Sequence, residues 1–418
     1  MASRERINVV VLGGGYAGTT AALRLSRKTR GSDVDITLIN DADHFVERIR
    51  LHQLAANQLL KQYDYVTLLK GTDVHFEQGW VTDLSPANQM VTVRANRGEI
   101  EIGYDYLIYA LGSTVDTHSV PGVSDHALSL STEETTAALQ EQLPGLAAQG
   151  GRLLVCGGGL TGIEAASELA EAYPSLRVTL VTSGTFGEQL SQDGQQHLRR
   201  VFDRLGIEVI DGQTIARVHP HSVECHDGTT LPFDMCLWAG AFAVSPLARD
   251  SGLPVNQRGQ VLVDGHLRVK GLPNLYAIGD AASLEEALDI PIRMGCVTAA
   301  PMGTYVGNHL AATIRGERQP KPYHFRYFMR CISLGRHDAL VQFVEADDTP
   351  KERILTGWIG AQVKEVIVRS SIWSIEFEQK MASLFRGSDQ APAVDVRVVE
   401  QIENKDANTH VQRFVRER

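Results

Sequence analysis

Two glycine runs carry the clearest chemical signal in this chain, Gly13-x-Gly15-x-x-Gly18 and Gly157-x-Gly159-x-x-Gly162. Each follows a strand-like apolar stretch, Ile7-Asn8-Val9-Val10-Val11-Leu12 or Arg152-Leu153-Leu154-Val155-Cys156. Each then opens a helical pattern, through Ala21, Ala22, Leu23 and Leu25 or through Glu164, Ala165, Ala166 and Glu168. Between a buried strand and a helix, such glycines give a tight turn, let the backbone approach a pyrophosphate closely, and let the helix pack on the strand. The pyrophosphate meets the helix N-terminus, where free N–H groups and the helix dipole favour an anion. The two loops lie too far apart to share one βαβ half. The chain therefore reads as holding two dinucleotides and moving electrons between them.

The end of the following strand is where such folds read the adenosine ribose, usually with an acid. After the first loop this strand is Asp35-Ile36-Thr37-Leu38-Ile39, ending at Asn40 and Asp41. Asn40 offers its side-chain carbonyl to a hydroxyl, and Asp41 offers a carboxylate. After the second loop the strand is Arg177-Val178-Thr179-Leu180-Val181, ending at Thr182-Ser183-Gly184. With neither acid nor arginine there, NADH and NADPH are both expected to serve, with a preference below roughly a hundredfold.

Strands alternating with helices around both loops predict an α/β fold on parallel sheets. At roughly 150 residues per domain, 418 residues predict two to three domains. Hydrophobic residues at 43% and charged residues at 22% exclude a disordered chain. Five cysteines exclude a disulfide scaffold and suggest a reducing compartment. Fifty acids against forty bases, a net charge of −10, argue against a nucleic-acid partner. No apolar run is long enough to span a membrane, and Met1 to Arg6 leads into a strand too short for a signal segment. These bounds point to a soluble, cytoplasmic protein.

A third element assigns the dinucleotides. Gly271-Leu272-Pro273-Asn274-Leu275-Tyr276-Ala277-Ile278-Gly279-Asp280 is a turn and a short apolar strand ending in Gly-Asp. With it, the chain resembles the flavoproteins with two dinucleotide-binding domains, the pyridine-nucleotide oxidoreductase superfamily, over residues 7–310. Tyr106-Leu107-Ile108-Tyr109-Ala110-Leu111-Gly112-Ser113 matches that family's second glycine motif, with Leu111 replacing the usual Thr, and Trp238-Ala239-Gly240 matches its return strand. The resemblance implies two Rossmann-like domains arranged as in glutathione reductase. A discontinuous FAD-binding domain would occupy 1–118 and 264–320, and an NAD(P)H-binding domain 119–263, entered through Val120-Pro121-Gly122. A C-terminal α+β module would follow at 321–418, strand-rich over Tyr327–Val344 and helical over Trp373–Phe385, with a loose polar tail.

By the same resemblance, Asp280 would bond a ribityl hydroxyl of FAD. The flavin nucleotide would also meet Gly13, Gly15, Tyr16, Ala17, Gly18, Asn40, Asp41, Arg48, Val81, Ala110, Leu111, Gly112, Gly279, Cys296 and Val297. NADH or NADPH would meet Gly157, Gly159, Leu160, Thr161, Gly162, Thr182 and Gly240. Glu164 matches a family position beside the nicotinamide and would orient its carboxamide rather than act in acid–base chemistry. The segment from Met294 to Gly303 would place a positive helix end under the flavin.

What is missing narrows the subclass. Disulfide reductases of this superfamily carry a close cysteine pair near the flavin. Here Cys156, Cys225, Cys236, Cys296 and Cys331 are scattered, so no redox dithiol is expected. Cys296 reads as a small hydrophobe beside the flavin, and the histidines show no ligand spacing, so no metal is expected. Electrons must then leave the flavin for a small-molecule acceptor. The chain is most similar to type II NADH dehydrogenases and to apoptosis-inducing-factor-like and ferroptosis-suppressor-like members, on the tract Asp43-His44-Phe45-Val46-Glu47-Arg48. Arg48, Arg50 and His52 read equally as phosphate or substrate contacts and as a solvated charged helix face. The quinone dehydrogenases carry glutamines in the segment 294–308, and this chain has none, which counts against a quinone. A redox sensor, a ferredoxin- or rubredoxin-type reductase and a biosynthetic reductase are the alternatives. Trp373, Phe377, Met381 and Leu384 form an apolar helix stripe. Glu376 and Glu378 balance Lys380 and Arg386, so packing on the flavin domain or a second copy is expected over peripheral docking on the inner face of a membrane.

Overall fold

The computed structural model describes residues 6–284, 288, 290, 292–384 and 397–398. Phe385, Arg386 and most of the polar tail lie outside the described residues. The strands that carry the site are β1 (Ile7–Leu12), β2 (Val34–Asn40), β3 (Tyr106–Tyr109), β4 (Arg152–Cys156), β5 (Arg177–Val181), β6 (Met235–Trp238) and β7 (Leu272–Ala277). Its helices are α1 (Tyr16–Lys28), α2 (Leu51–Ala55), α3 (Leu160–Ala172), α4 (Cys296–Ile314) and α5 (Gly357–Ser383).

The first sheet runs β7-β3-β1-β2 in parallel, continued by Val74–Ser85 and then by antiparallel Met90–Ala95 and Gly98–Gly103. Val9 to Leu12 are at most 1% exposed, buried on both faces of the sheet; hence an unbroken apolar run rather than an alternating one. Since β7, β3 and β1 are neighbours and parallel, the turns after them open at one edge. Gly13, Ala110 and Gly279 meet there, although they lie far apart in sequence. Behind this edge α1 packs on α4 at close range: a Cβ on Gly303 would fall 2.3 Å from the Ala17 carbonyl oxygen.

The second sheet is wholly parallel, in the order Glu208–Ile210, β5, β4, β6, Leu128–Ser129. Ser113–Val115 pairs antiparallel with Phe242–Val244 where the chain crosses between the two sheets in each direction. His44, in the loop after β2, also spans the two: its ring nitrogens lie 2.7 Å from Asp43 and 2.5 Å from Glu133, which begins the helix Glu133–Ala148. Burial opposes the charge on His44, but both carboxylates outweigh it and raise its pKa above 6.5. A raised folded pKa gives stability that is complete below the unfolded value and lost as pH rises through the folded one. His44→Gln should therefore lower the urea midpoint at pH 6 more than at pH 8. Equal losses at both pH values would contradict this.

The C-terminal part is a three-stranded antiparallel sheet, Met329–Ser333, Ala339–Val344 and Pro350–Thr356, followed by α5. The helix expected over Trp373–Phe385 begins sixteen residues earlier, at Gly357. Its inner face, Val368, Ile372, Ile375 and Ala382, is buried. Two expectations for it are corrected. Glu378 is not on a polar outer face; it is 7% exposed, accepts from Arg24 at 2.8 Å and forms an ion pair with Arg27 at 3.1 Å on α1. The stripe expected to pack on the flavin domain or on a second copy does not pack on the flavin domain: Trp373, Phe377 and Leu384 are exposed, together with Trp358, Ile359 and Val366. Two arginines drew Glu378 to the domain, and that turned the stripe away.

Candidate active site

In the first glycine loop, each residue type has its own cause. Gly13 has φ +98°, and a Cβ there would lie 2.3 Å from the Ala110 carbonyl oxygen. A Cβ on Gly18 would lie 1.9 Å from the Gly13 carbonyl oxygen. Gly15 differs: its φ of −69° suits any residue, and no described atom lies within 4 Å of where its Cβ would stand. Nothing in the protein requires glycine there. An occupant of the open space at the N-terminus of α1 does, which is what a pyrophosphate demands. The second loop repeats the pattern. A Cβ on Gly157 would meet the Ala239 carbonyl oxygen at 2.5 Å and one on Gly162 the Gly157 carbonyl oxygen at 1.9 Å, whereas Gly159, at φ −73°, faces open space.

Around the first loop the structure gathers most of the residues expected for FAD. Asp280 accepts from Ser113 Oγ and from the Gly295 N–H, both at 2.7 Å. Arg48 donates to the Ser113 carbonyl at 2.6 Å and lies 3.9 Å from a Cβ position on Gly112. A Cβ on Gly279 would be 3.2 Å from that of Ala17. Tyr16 is 8% exposed, with its hydroxyl unpaired, an orphaned polar atom that fits a missing ligand. Asn40 Oδ1 accepts the Gly14 N–H at 2.8 Å and its amide donates to Ala42, so the side chain also braces the glycine loop. Asp41 stays exposed at the strand end. Leu111 packs into the core, Val81 pairs with Val93 in the antiparallel extension, and Val297 is 46% exposed. None of these three is drawn into the hydrogen-bonded group.

Between the two loops lies a cluster that the sequence did not reveal. Glu164 accepts from Lys364 Nζ at 2.8 Å and from the Ser333 N–H at 3.0 Å, and Lys364 also donates to the Cys331 carbonyl at 3.1 Å. Burial alone would neutralise both groups. Lys364, then His52, outweigh it at Glu164 and hold its carboxyl below the ordinary value, while Glu164 lifts Lys364 above its own. They form a largely buried ion pair, with 15% and 12% of the side chains exposed. Arg50 and His52 are not a solvated face: they are 7% and 5% exposed. His52 is pushed down to about 4 by burial and is neutral, and its Nε2 has no partner. Cys296 and Cys331 stand near Lys364, yet burial raises both thiols, Cys331 to about 11, so neither is a ready nucleophile. Cys156 and Cys236, unrelated in spacing, sit 3.6 Å apart across β4 and β6, both buried.

Leu160 packs on the second core, Thr161 and Thr182 are half-buried, and Gly240 lies against Trp238. At the end of β5 the fold supplies an acid that the strand end lacks. The Glu188 carboxylate reaches back over Gly184, 2.7 Å from where a Cβ would stand. Near-equal use of the two nicotinamides was expected from the missing acid. With Glu188 in place, the wild type should prefer NADH, and Glu188→Gln should shift the kcat/KM ratio towards NADPH by about tenfold, or roughly 1.4 kcal/mol. An unchanged ratio would place the selecting group elsewhere.

Two dinucleotide cradles on parallel sheets, joined through a buried polar cluster, define a two-dinucleotide-binding-domain oxidoreductase. The model of the pyridine nucleotide-disulphide oxidoreductases matches residues 7–303, and the chain belongs to that family. It is an oxidoreductase that uses FAD and NADH. It is 26% identical over 350 residues to the demethylphylloquinone reductase NdbB of Synechocystis, covering 80% of this chain and 86% of that one. It is 25% identical over 375 residues to the type II NADH:quinone oxidoreductase of Staphylococcus aureus, covering 81% and 90%. Among solved structures, NDH2 of Plasmodium falciparum with NADH superposes at a TM-score of 0.76, with 16% identity and 91% and 98% coverage. The sulfide:quinone oxidoreductase of Aquifex aeolicus gives 0.75, with 21% identity and 89% and 92% coverage.

Proposed function

We propose that this chain oxidises NADH and passes the two electrons, through bound FAD, to a quinone. The observation that carries this reading is the buried Lys364–Glu164 pair between the two cradles, beside the start of α4. The FAD held there would supply two-electron redox chemistry between the nicotinamide and the acceptor. The chain's own part is to place the groups and supply a proton. Gly13 to Gly18 and α1 would hold the FAD pyrophosphate; Asp280, fixed by Ser113 and Gly295, would hold its ribityl chain. Glu164 stands at the start of α3 but is committed to Lys364, so proton handling replaces carboxamide orientation as its role. A quinone oxygen gaining electrons next to Lys364 Nζ meets a cation able to stabilise that charge and to give up a proton. The missing glutamines at 294–308 do not weigh against this, since Lys364 supplies a donor that they would otherwise provide. Relatives named for quinone reduction support the acceptor.

The outward stripe on α5 suits a lipid surface holding such an acceptor. No described helix is long and apolar enough to cross a membrane. A second copy of the chain is the other occupant of that face. Flotation with lipid vesicles, lost on Trp373→Glu/Phe377→Glu, supports the lipid reading; a concentration-dependent dimer lost in the same variant supports the copy. Steady-state NADH oxidation against a soluble quinone, ferredoxin and oxygen tests the function. Turnover fastest with quinone is expected, and turnover only with ferredoxin would overturn it.

A further inference from the structure

Glu164, Glu168 and Glu171 fall at i, i+4 and i+7 of α3, on one face of the helix. Glu164 belongs to the cluster just described. Glu171, at the other end, accepts from the Arg336 N–H, and the Arg336 side chain reaches solvent at 41% exposure. Glu168 lies between them and is 1% exposed. Its Oε1 accepts from Gln58 and lies 4.0 Å from Arg336 Nε, while its Oε2 is buried with no partner among the described residues. His52 Nε2, on α2, which packs against α3, is likewise buried without a partner among the described residues. The Lys364–Glu164 pair keeps only 15% and 12% of its side-chain exposure, which bound cofactors would reduce further, and it must recover each proton it gives.

We propose that Glu168 is the proton relay that reloads the Lys364–Glu164 pair from solvent, along the acidic face of α3. This rests on the quinone reading above. A quinone reduced by hydride gains two electrons and one proton, and needs one proton more. As the acceptor O–H bond forms, the Lys364 N–H bond breaks. Glu168, protonated at the start, passes its proton to the Glu164 carboxylate, Glu164 passes it on to neutral Lys364, and the Glu168 carboxylate takes a proton from solvent reached past Glu171 and Arg336. The net input is one solvent proton, and every carboxylate ends as it began. The groups facing Glu168 suit the task. Burial, reinforced by Glu171 and Glu164, pushes its carboxyl up to about 7 against the pull of Arg336 and Gln58, so it exchanges protons near neutrality. His52, at about 4, stays neutral throughout.

Infrared pH titration of the wild-type protein with 13C-labelled glutamate reads Glu168 without turnover. A buried neutral carboxyl band should titrate between about pH 6 and 8, and Glu168→Gln should remove it. In kinetics, Glu168→Gln should slow quinone reduction at least tenfold at pH 8, less at pH 6, and raise its solvent isotope effect. Ferricyanide, which takes electrons without protons, should be reduced within twofold of wild type. Glu168→Asp should restore part of the quinone rate. The absence of a titrating band in the wild type overturns the relay, whether or not the variant folds. Equal slowing with both acceptors and no change in pH profile also overturns it. If the wild type reduces ferricyanide but no quinone, the acceptor reading fails, and the carboxyl band alone then decides whether Glu168 exchanges protons.

Discussion

Gly15→Ala is expected to leave the melting temperature of the apoprotein nearly unchanged and to weaken FAD binding about a hundredfold, or roughly 2.8 kcal/mol. The φ of −69° accepts alanine, and the added methyl meets no described atom. Exchanging glycine for alanine at a compatible backbone stabilises by about 0.4–1 kcal/mol, while a poorer N-cap costs a similar amount, so the two nearly cancel. Only a ligand against the loop can feel the methyl. Gly18→Ala is the contrast. Its Cβ would stand 1.9 Å from the Gly13 carbonyl oxygen, so the apoprotein itself should lose stability. Flavin content after gel filtration and a thermal melt of the stripped protein separate the two cases. Full FAD retention by Gly15→Ala would mean that the open space is not the pyrophosphate site.

Lys364→Met is expected to cut quinone turnover by about a hundredfold or more, within the range for loss of a positioned proton donor. It also strands Glu164. Removing one partner of a buried ion pair costs about 3–5 kcal/mol unless the survivor becomes neutral. Glu164 should therefore hold a proton more readily than in the wild type, reversing the direction in which Lys364 now holds it. Lys364→Met/Glu164→Gln should regain most of the stability and none of the turnover. Reduction of the flavin by NADH should slow far less, because Lys364 acts after the hydride has arrived. A variant that loses both half-reactions equally would show that the pair only supports the fold.

The glycine loops, both sheets and the Gly279–Asp280 edge were legible in the sequence because their causes are local. A loop that must turn at positive φ and seat a helix on a strand needs glycine at fixed spacing. The chemistry between the loops was not legible. Lys364 is 200 residues from Glu164 and enters on a helix whose first half shows no clean stripe. Glu188 and Gln58 are ordinary polar residues until a turn or a neighbouring helix brings them round. Glu378 looked solvated because Arg24 and Arg27, its partners, lie at the other end of the chain. Asn40 did signal its site, but its carbonyl serves Gly14, a hydrogen bond that spacing alone cannot assign.

The most direct test of the account is a double-mixing stopped-flow experiment under anaerobic conditions. NADH is mixed with the protein to bleach the flavin, and a soluble quinone is then added. Recovery of the flavin absorbance with one quinone reduced per NADH, fast in the wild type and slowed only in this second step by Lys364→Met, is the predicted result. A flavin that NADH bleaches and quinone does not restore, or restores equally fast without Lys364, would contradict it.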